Sequence, residues 1–156
     1  MVEPLVVRRD GAKSIRLGPD EWVIRATGAS TGGRLDFLEG TISYLQGPPL
    51  HIHLEQDDTI MVVQGKLRVQ IAEEFLDLSA GDLVSVPKGV AHTFANLEEE
   101  PARVINVMTP GGFDLALEEM AALPPGPPDP EVLNELSARH RVEFVGPPIP
   151  VRLGMV

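Results

Sequence analysis

Through its first 110 positions the chain alternates apolar and polar residues in short runs divided by turn residues, and no helical period emerges there. The cleanest run predicts a half-buried strand: Leu67, Val69 and Ile71 form its apolar face, and Lys66, Arg68 and Gln70 its outward one. Glu21–Thr27 predicts another, with Trp22, Ile24 and Ala26 on one face. In Arg34–Leu45 the set Leu35, Phe37, Glu39 and Thr41 alternates with Asp36, Leu38, Gly40 and Ile42. Neither set is plainly polar, which suits a strand between two layers, and Gly40 reads as a bulge or bend. Leu5–Val7, Ser14–Leu17, Thr59–Val63, Leu76–Leu78, Leu83–Val86, Ala91–Ala95 and Arg103–Thr109 complete the series. Residues 28–33 (GASTGG), the acidic stretch Glu55–Asp58, the Pro87-Lys88-Gly89 break and the run Glu98–Glu100 read as loops or turns. Short strands at this spacing predict an all-β sandwich or barrel.

Beyond residue 110 the period changes. Phe113–Leu123 is rich in helix formers, with Phe113, Leu117 and Met120 at helical spacing, and predicts a helix packed on the β structure. The proline-rich stretch 124–130 ends it. Asp129 before Pro130 predicts the N-cap of a second helix running through Leu133, Leu136 and His140, where His140 reads as a surface or packing residue. A short apolar strand and a proline-rich exit follow. With no internal repeat, the expectation is one domain over 1–156, with the barrel at about 14–110 and a C-terminal helical extension at about 111–156.

Composition narrows the function. Fifteen Gly, fifteen Pro and 4% aromatic residues in 156 suit a turn-rich β fold with a single core. A net charge of −10 argues against nucleic acid or an anionic membrane as partner, and hinders a small neutral, metal-bound or cationic ligand less. The absence of cysteine excludes disulfides, thiolate zinc sites and cysteine nucleophiles. The N-terminal MVEPLVVRRDGAK places its apolar patch before its basic pair, the reverse of a secretory signal, and no run reaches the length of a membrane span. The expectation is a soluble, cytoplasmic protein.

Three of the four histidines stand in two segments, His51 and His53 in one and His92 in the other. Strand alternation puts His51 and His53 on one side, as a chelating pair requires, and a neighbouring strand supplies His92. Each alone would more often be structural; together they point to a divalent transition metal (Fe, Ni, Mn, Cu or Zn) with positions left for a carboxylate, water or substrate.

The two segments resemble the two-part motif of the cupin superfamily. The first part is met by His51, His53 and Gly65, with the family's glutamate position falling on Asp58; the second is met by Gly81, Pro87, Gly89, His92 and Asn96. Residues 26–42, 109–114 and 136–148 extend the resemblance to small cupins of the quercetin dioxygenase-like group. It implies a jelly-roll β-barrel with one or two C-terminal α-helices, His51, His53 and His92 as ligands, and a small-molecule dioxygenase. It is also compatible with a metal-assisted isomerase or decarboxylase, or with a non-catalytic binding protein. A homodimer fits the resemblance too, with the apolar N-terminal strand and proline-rich tail as surfaces for it.

Asp58 is shorter than the family's glutamate by one C–C bond, roughly 1.5 Å, while metal–ligand distances tolerate about 0.2 Å. Three roles are open to it: ligand after a backbone shift, holder of a metal-bound water and base toward substrate, or a residue that orders its loop. Ile60 and Val62 share its strand face and are expected to line an apolar pocket with Phe94 and one face of Arg103–Thr109. Asn96 shares a face with His92 and Phe94, and the commoner role of such a residue is to satisfy backbone groups at a strand end.

Overall fold

The structure, a computed structural model, describes residues 3–156; Met1 and Val2, the start of the N-terminal segment read above, lie outside the described residues. Ten strands precede the first helix: β1 (Lys13–Leu17), β2 (Asp20–Ala26), β3 (Asp36–Ile42), β4 (Leu50–His53), β5 (Asp57–Gln64), β6 (Lys66–Ile71), β7 (Glu74–Ser79), β8 (Leu83–Val86), β9 (His92–Ala95) and β10 (Ala102–Thr109). Then come α1 (Asp114–Ala121), α2 (Pro130–His140), β11 (Val142–Gly146) and the one-turn α3 (Ile149–Arg152). A six-stranded sheet in the order β1-β2-β3-β10-β5-β8 faces a five-stranded sheet in the order β11-β4-β9-β6-β7, with antiparallel pairing throughout.

The period-two pattern decides which side chains meet between the sheets. Trp22 and Ile24 of β2, Leu38 and Ile42 of β3, Ile60 and Val62 of β5, Leu67 and Val69 of β6, and Val104 of β10 all point inward and form one cluster. On β3 the buried set is Asp36, Leu38, Gly40 and Ile42, so this strand has one inward and one outward face. Gly40 is no bulge. It pairs in register with Trp22, and a Cβ there would lie 2.7 Å from the indole, so glycine makes room for that ring. The irregularities fall instead at Ile24/Ala26, Arg103/Val104 and Phe144/Gly146.

Three further expectations change. Leu5–Val7 joins no strand, and Leu5 and Val6 are exposed. Residues Asp57 and Asp58 belong to β5 rather than to a turn, which gives the Asp58 side chain a defined direction. Gln70 is fully buried despite its outward expectation, with Nε2 donating to Ala72 O at 2.7 Å.

The C-terminal segment is less separate from the barrel than a helical extension. Phe113, which caps α1, has no side-chain cap bond to offer. Asp36 of β3 replaces it: its carboxylate accepts from the backbone N–H groups of Gly112, Phe113 and Asp114 and, across the loop, of Gly28. These are the donors a helix start leaves unpaired, and an anion there stabilises the helix by up to about 2 kcal/mol when partly buried. Gly28 and Gly111 let the two loops touch, since a Cβ on either would lie 2.6–2.7 Å from the other's backbone. Asp129 caps α2 as its position predicts, Oδ1 accepting from Glu131 N at 2.8 Å. Arg141, at φ 55°, turns the chain into β11, which pairs with β4 and extends the five-stranded sheet. His140 packs between the helices, Nε2 meeting Glu119 Oε2 at 2.5 Å.

Burial and the nearby Asp36 carboxylate raise the Asp114 carboxyl to about 6, with Glu118 adding to the effect. A carboxyl raised on folding contributes stability that is fully present below its ordinary value of 3.8 and is lost as pH rises through about 6. Asp114→Asn keeps that position neutral at every pH. Thermal unfolding followed across this interval should therefore show the variant gaining on the wild type as pH rises; a constant offset between the two would contradict the assignment.

Candidate metal centre

Each ligand candidate is aimed by its strand. His51 and His53, two apart on β4, both point between the sheets, while Ile52 between them faces out. On β9, His92 stands directly opposite His51 in the antiparallel register. Each of these two rings is clamped by the carbonyl two residues before it: His51 Nδ1 to Pro49 O at 2.7 Å, and His92 Nδ1 to Val90 O at 2.9 Å. A carbonyl only accepts, so Nδ1 carries the proton in both rings; this leaves His51 Nε2 with its lone pair, while His92 Nε2 faces the Asp58 carboxylate and donates to it wherever no ion takes that proton's place. Residue Asp58 comes from β5 of the opposite sheet. Its Oδ2 lies 2.9 Å from His92 Nε2 and 3.5 Å from His53 Nε2.

One donor atom from each of His51, His53, Asp58 and His92 falls within 4.8 Å of the others, and all four residues are at most 6% exposed. The four are buried and positioned for a metal ion. The donor chemistry fits: two imidazoles have their outer nitrogens already used, and a carboxylate points inward at the shared space. Nδ1 of His53 has no partner among the described residues, and its ring meets Phe113 edge-on at 4.5 Å. A buried polar atom left so costs about 1–3 kcal/mol, a cost that marks a site shaped for something besides stability.

Charge follows from the same contacts. Burial alone would raise the Asp58 carboxyl, but hydrogen bonds from His53 and His92 outweigh it and hold the group below the usual carboxylate range. Burial likewise works against protonation of His92, yet its bond to Asp58 leaves it raised. For His51 the balance goes the other way: burial, then His92 and His53 beside it, outweigh the Pro49 carbonyl and Asp58 and push it down to about 3, and it stays neutral.

Asn106 was not among the expected residues. It stands on the inward face of β10 between Val104 and Met108, and its Nδ2 donates to Asp58 Oδ1 at 2.5 Å and to Thr59 O at 3.1 Å. The signal for it was parity: a carboxamide at an inward position of an otherwise apolar set. Beside the cluster opens a cavity of about 240 Å³ walled by Trp22, Phe94, Met108, Phe113, Leu117 and Phe144 among others. Phe94 is there as expected. Ile60 and Val62 are not on this wall; they lie further along β5, where the two sheets close on each other and fill the interior with core. Nor is Asn96, whose Nδ2 donates to Ile42 O and Glu100 O while Oδ1 accepts from Glu98 N, tying down the β9–β10 turn.

The fold and the donor set define a cupin-type β-sandwich with a three-histidine, one-carboxylate centre. The cupin domain family model matches residues 41–108, a span that holds all four residues. Quercetin 2,3-dioxygenase of Bacillus subtilis is 24% identical over 108 residues, 69% of this chain and 32% of that one. An uncharacterised protein of Streptomyces coelicolor is 36% identical over 55 residues, 35% of this chain and 51% of that one. The match thus covers about a third of the first relative's length and about half of the second's. Among solved structures, KdgF from Halomonas sp. gives a TM-score of 0.63 at 22% identity, covering 72% of this chain and 99% of that one. A predicted oxalate decarboxylase from Thermotoga maritima gives 0.60 at 16%, covering 67% and 98%; at such identities the likeness shows the fold. Domain match and fold together place a cupin domain over residues 41–108 of this chain, within a sandwich of the cupin type.

With Asp58 already reaching the histidine nitrogens, the site is built for aspartate. In Asp58→Glu the extra methylene drives the carboxylate into those nitrogens or away from Asn106. Metal affinity measured by titration calorimetry should fall about 10- to 100-fold; an affinity equal to or above wild type would show that the glutamate length is the better fit.

Proposed function

We propose that this protein is a metal-dependent dioxygenase for a small, uncharged, largely apolar enol or phenol. The observation that carries the reading is the cavity wall: apart from Asp20, Gln46 and Asn106 it is aromatic and aliphatic beside the donor set, and among the described residues no Lys or Arg lines it. A dicarboxylate or a sugar acid would bring to that wall a charge with no cationic partner. A planar aromatic ligand instead buries its rings against it. The 24% identity to a quercetin 2,3-dioxygenase supports the same direction.

A metal ion held by His51, His53, His92 and Asp58 would supply Lewis-acid and redox chemistry at the cavity floor. The remaining tasks belong to the chain. Asp58 Oδ2 lies among the histidine nitrogens, where it takes the proton that a substrate hydroxyl gives up on binding. The clamps from Pro49 O and Val90 O keep two imidazoles in one orientation. The apolar wall holds the substrate ring and excludes water.

Protein as isolated should carry about one equivalent of a transition metal per chain. With a panel of flavonols and other enols it should consume oxygen, and His92→Ala should lower that rate roughly a hundredfold or more, since it removes a direct donor. Failure to retain or rebind any metal overturns the reading. Turnover without oxygen would make the protein a metal-assisted isomerase or decarboxylase, and tight binding without turnover a binding protein.

A further inference from the structure

Asn106 has a second face. Both protons of its Nδ2 are used, one by Asp58 Oδ1 and one by Thr59 O. Those two partners are acceptors only, so the amide cannot be turned the other way: a reversed group would set Oδ1 against two oxygens. The orientation is therefore fixed by chemistry, and Oδ1 is the atom left over. It has no partner among the described residues, and it is not one of the sealed polar atoms, which are His53 Nδ1, Gln56 Oε1 and Gln70 Oε1. The residue lines the cavity, and Oδ1, unpartnered and not sealed, is the polar atom it has left to offer there. Asp20 and Gln46 also reach the wall, but of the polar side chains there outside the four-residue cluster, Asn106 is the one bonded to the cluster itself.

We propose that Asn106 is a specificity-determining residue: its Oδ1 accepts a hydrogen bond from an O–H or N–H that the ligand carries next to its metal-facing oxygen. A neutral acceptor set into an apolar wall discriminates sharply, because a ligand lacking the donor leaves Oδ1 dry and unpaired. The cavity then selects vicinal hydroxy-phenols, hydroxy-enols and their amino analogues over ligands with a lone or alkylated oxygen. This rests on the metal-site part of the proposed function and is independent of the oxygen chemistry.

The test is a cycle of two ligands and two proteins on the zinc-loaded full chain, where no redox turnover interferes. Affinities of 4-nitrocatechol and of its monomethyl ether are measured by absorbance titration for wild type and for Asn106→Leu, with bound zinc determined in each. Loss of the Asp58 clamp weakens both ligands alike and cancels in the ratio. The wild-type preference for the free hydroxyl should shrink about five- to tenfold in the variant, the value of one hydrogen bond. An unchanged preference with zinc bound overturns the role of Asn106 and leaves the metal site standing, as does absence of binding by either ligand to zinc-loaded wild type. Wild type that takes up no zinc overturns the site and this inference together. If Asn106→Leu does not fold, Asn106→Ala removes the same carbonyl. In wild type alone, the Asn106 side-chain amide resonance should respond to the catechol and not to the ether; equal responses would also overturn the proposal.

Discussion

A carboxylate that is only 4% exposed must be compensated where it stands, and Asp58 is such a group. Its compensation comes from both sheets. Oδ2 is held by His92 and His53, from β9 and β4 of the five-stranded sheet, and Oδ1 by Asn106, its neighbour on β10 of the six-stranded one. The two oxygens thus have different partners, and the carboxylate has one orientation. This contact joins the sheets at the end where apolar packing gives way to a cavity; at the other end Ile60, Val62 and their neighbours join them by close packing alone. Site and fold share one device: the polar tie that keeps the sandwich together at its open end is the donor set.

A second buried carboxylate does for the cavity wall what Asp58 does for its floor. Asp36 gathers the N–H groups at the start of α1, and α1 carries Leu117 and Met120 over the cavity with Phe113 just before them. The helix therefore sits where β3 places it. The same group shapes its surroundings, since burial and then nearness to Asp36 raise the carboxyl of Asp114, the first residue of the helix.

Much of this was legible in the residues, and the parts that were not have a common cause. Alternation alone placed Trp22, Ile24 and Ala26 inward, and the spacing of His51, His53 and His92 was enough to bring three imidazoles together, because strand geometry is local. The reach of Asp58 was not local. Its one missing methylene looked like a deficit until the strand it belongs to, β5, was seen to begin at Asp57 and to carry it straight toward the histidines. Asn106 and Asp36 were hidden for the same reason: each looks like an ordinary polar residue in a strand, and only cross-strand neighbours reveal what it bonds. Gly40 shows the converse. A glycine in a strand suggested a bend, whereas a ring on the adjacent strand required the space. Ile60 and Val62 were correctly read as inward, but parity says nothing about how far along the barrel the cavity extends.

The pairing of β11 with β4 carries a consequence for how the molecule is made. Val142 stands beside His53 and Phe144 beside His51, and both line the cavity, so the histidine strand borders a segment some ninety residues downstream of it. The four donors all come from β4, β5 and β9, strands complete by residue 95. The pocket does not. A chain ending before Val142 would keep every donor but leave the edge of β4 unpaired and two residues of the cavity wall missing, so the site's ligands and its enclosure belong to separate stretches of sequence.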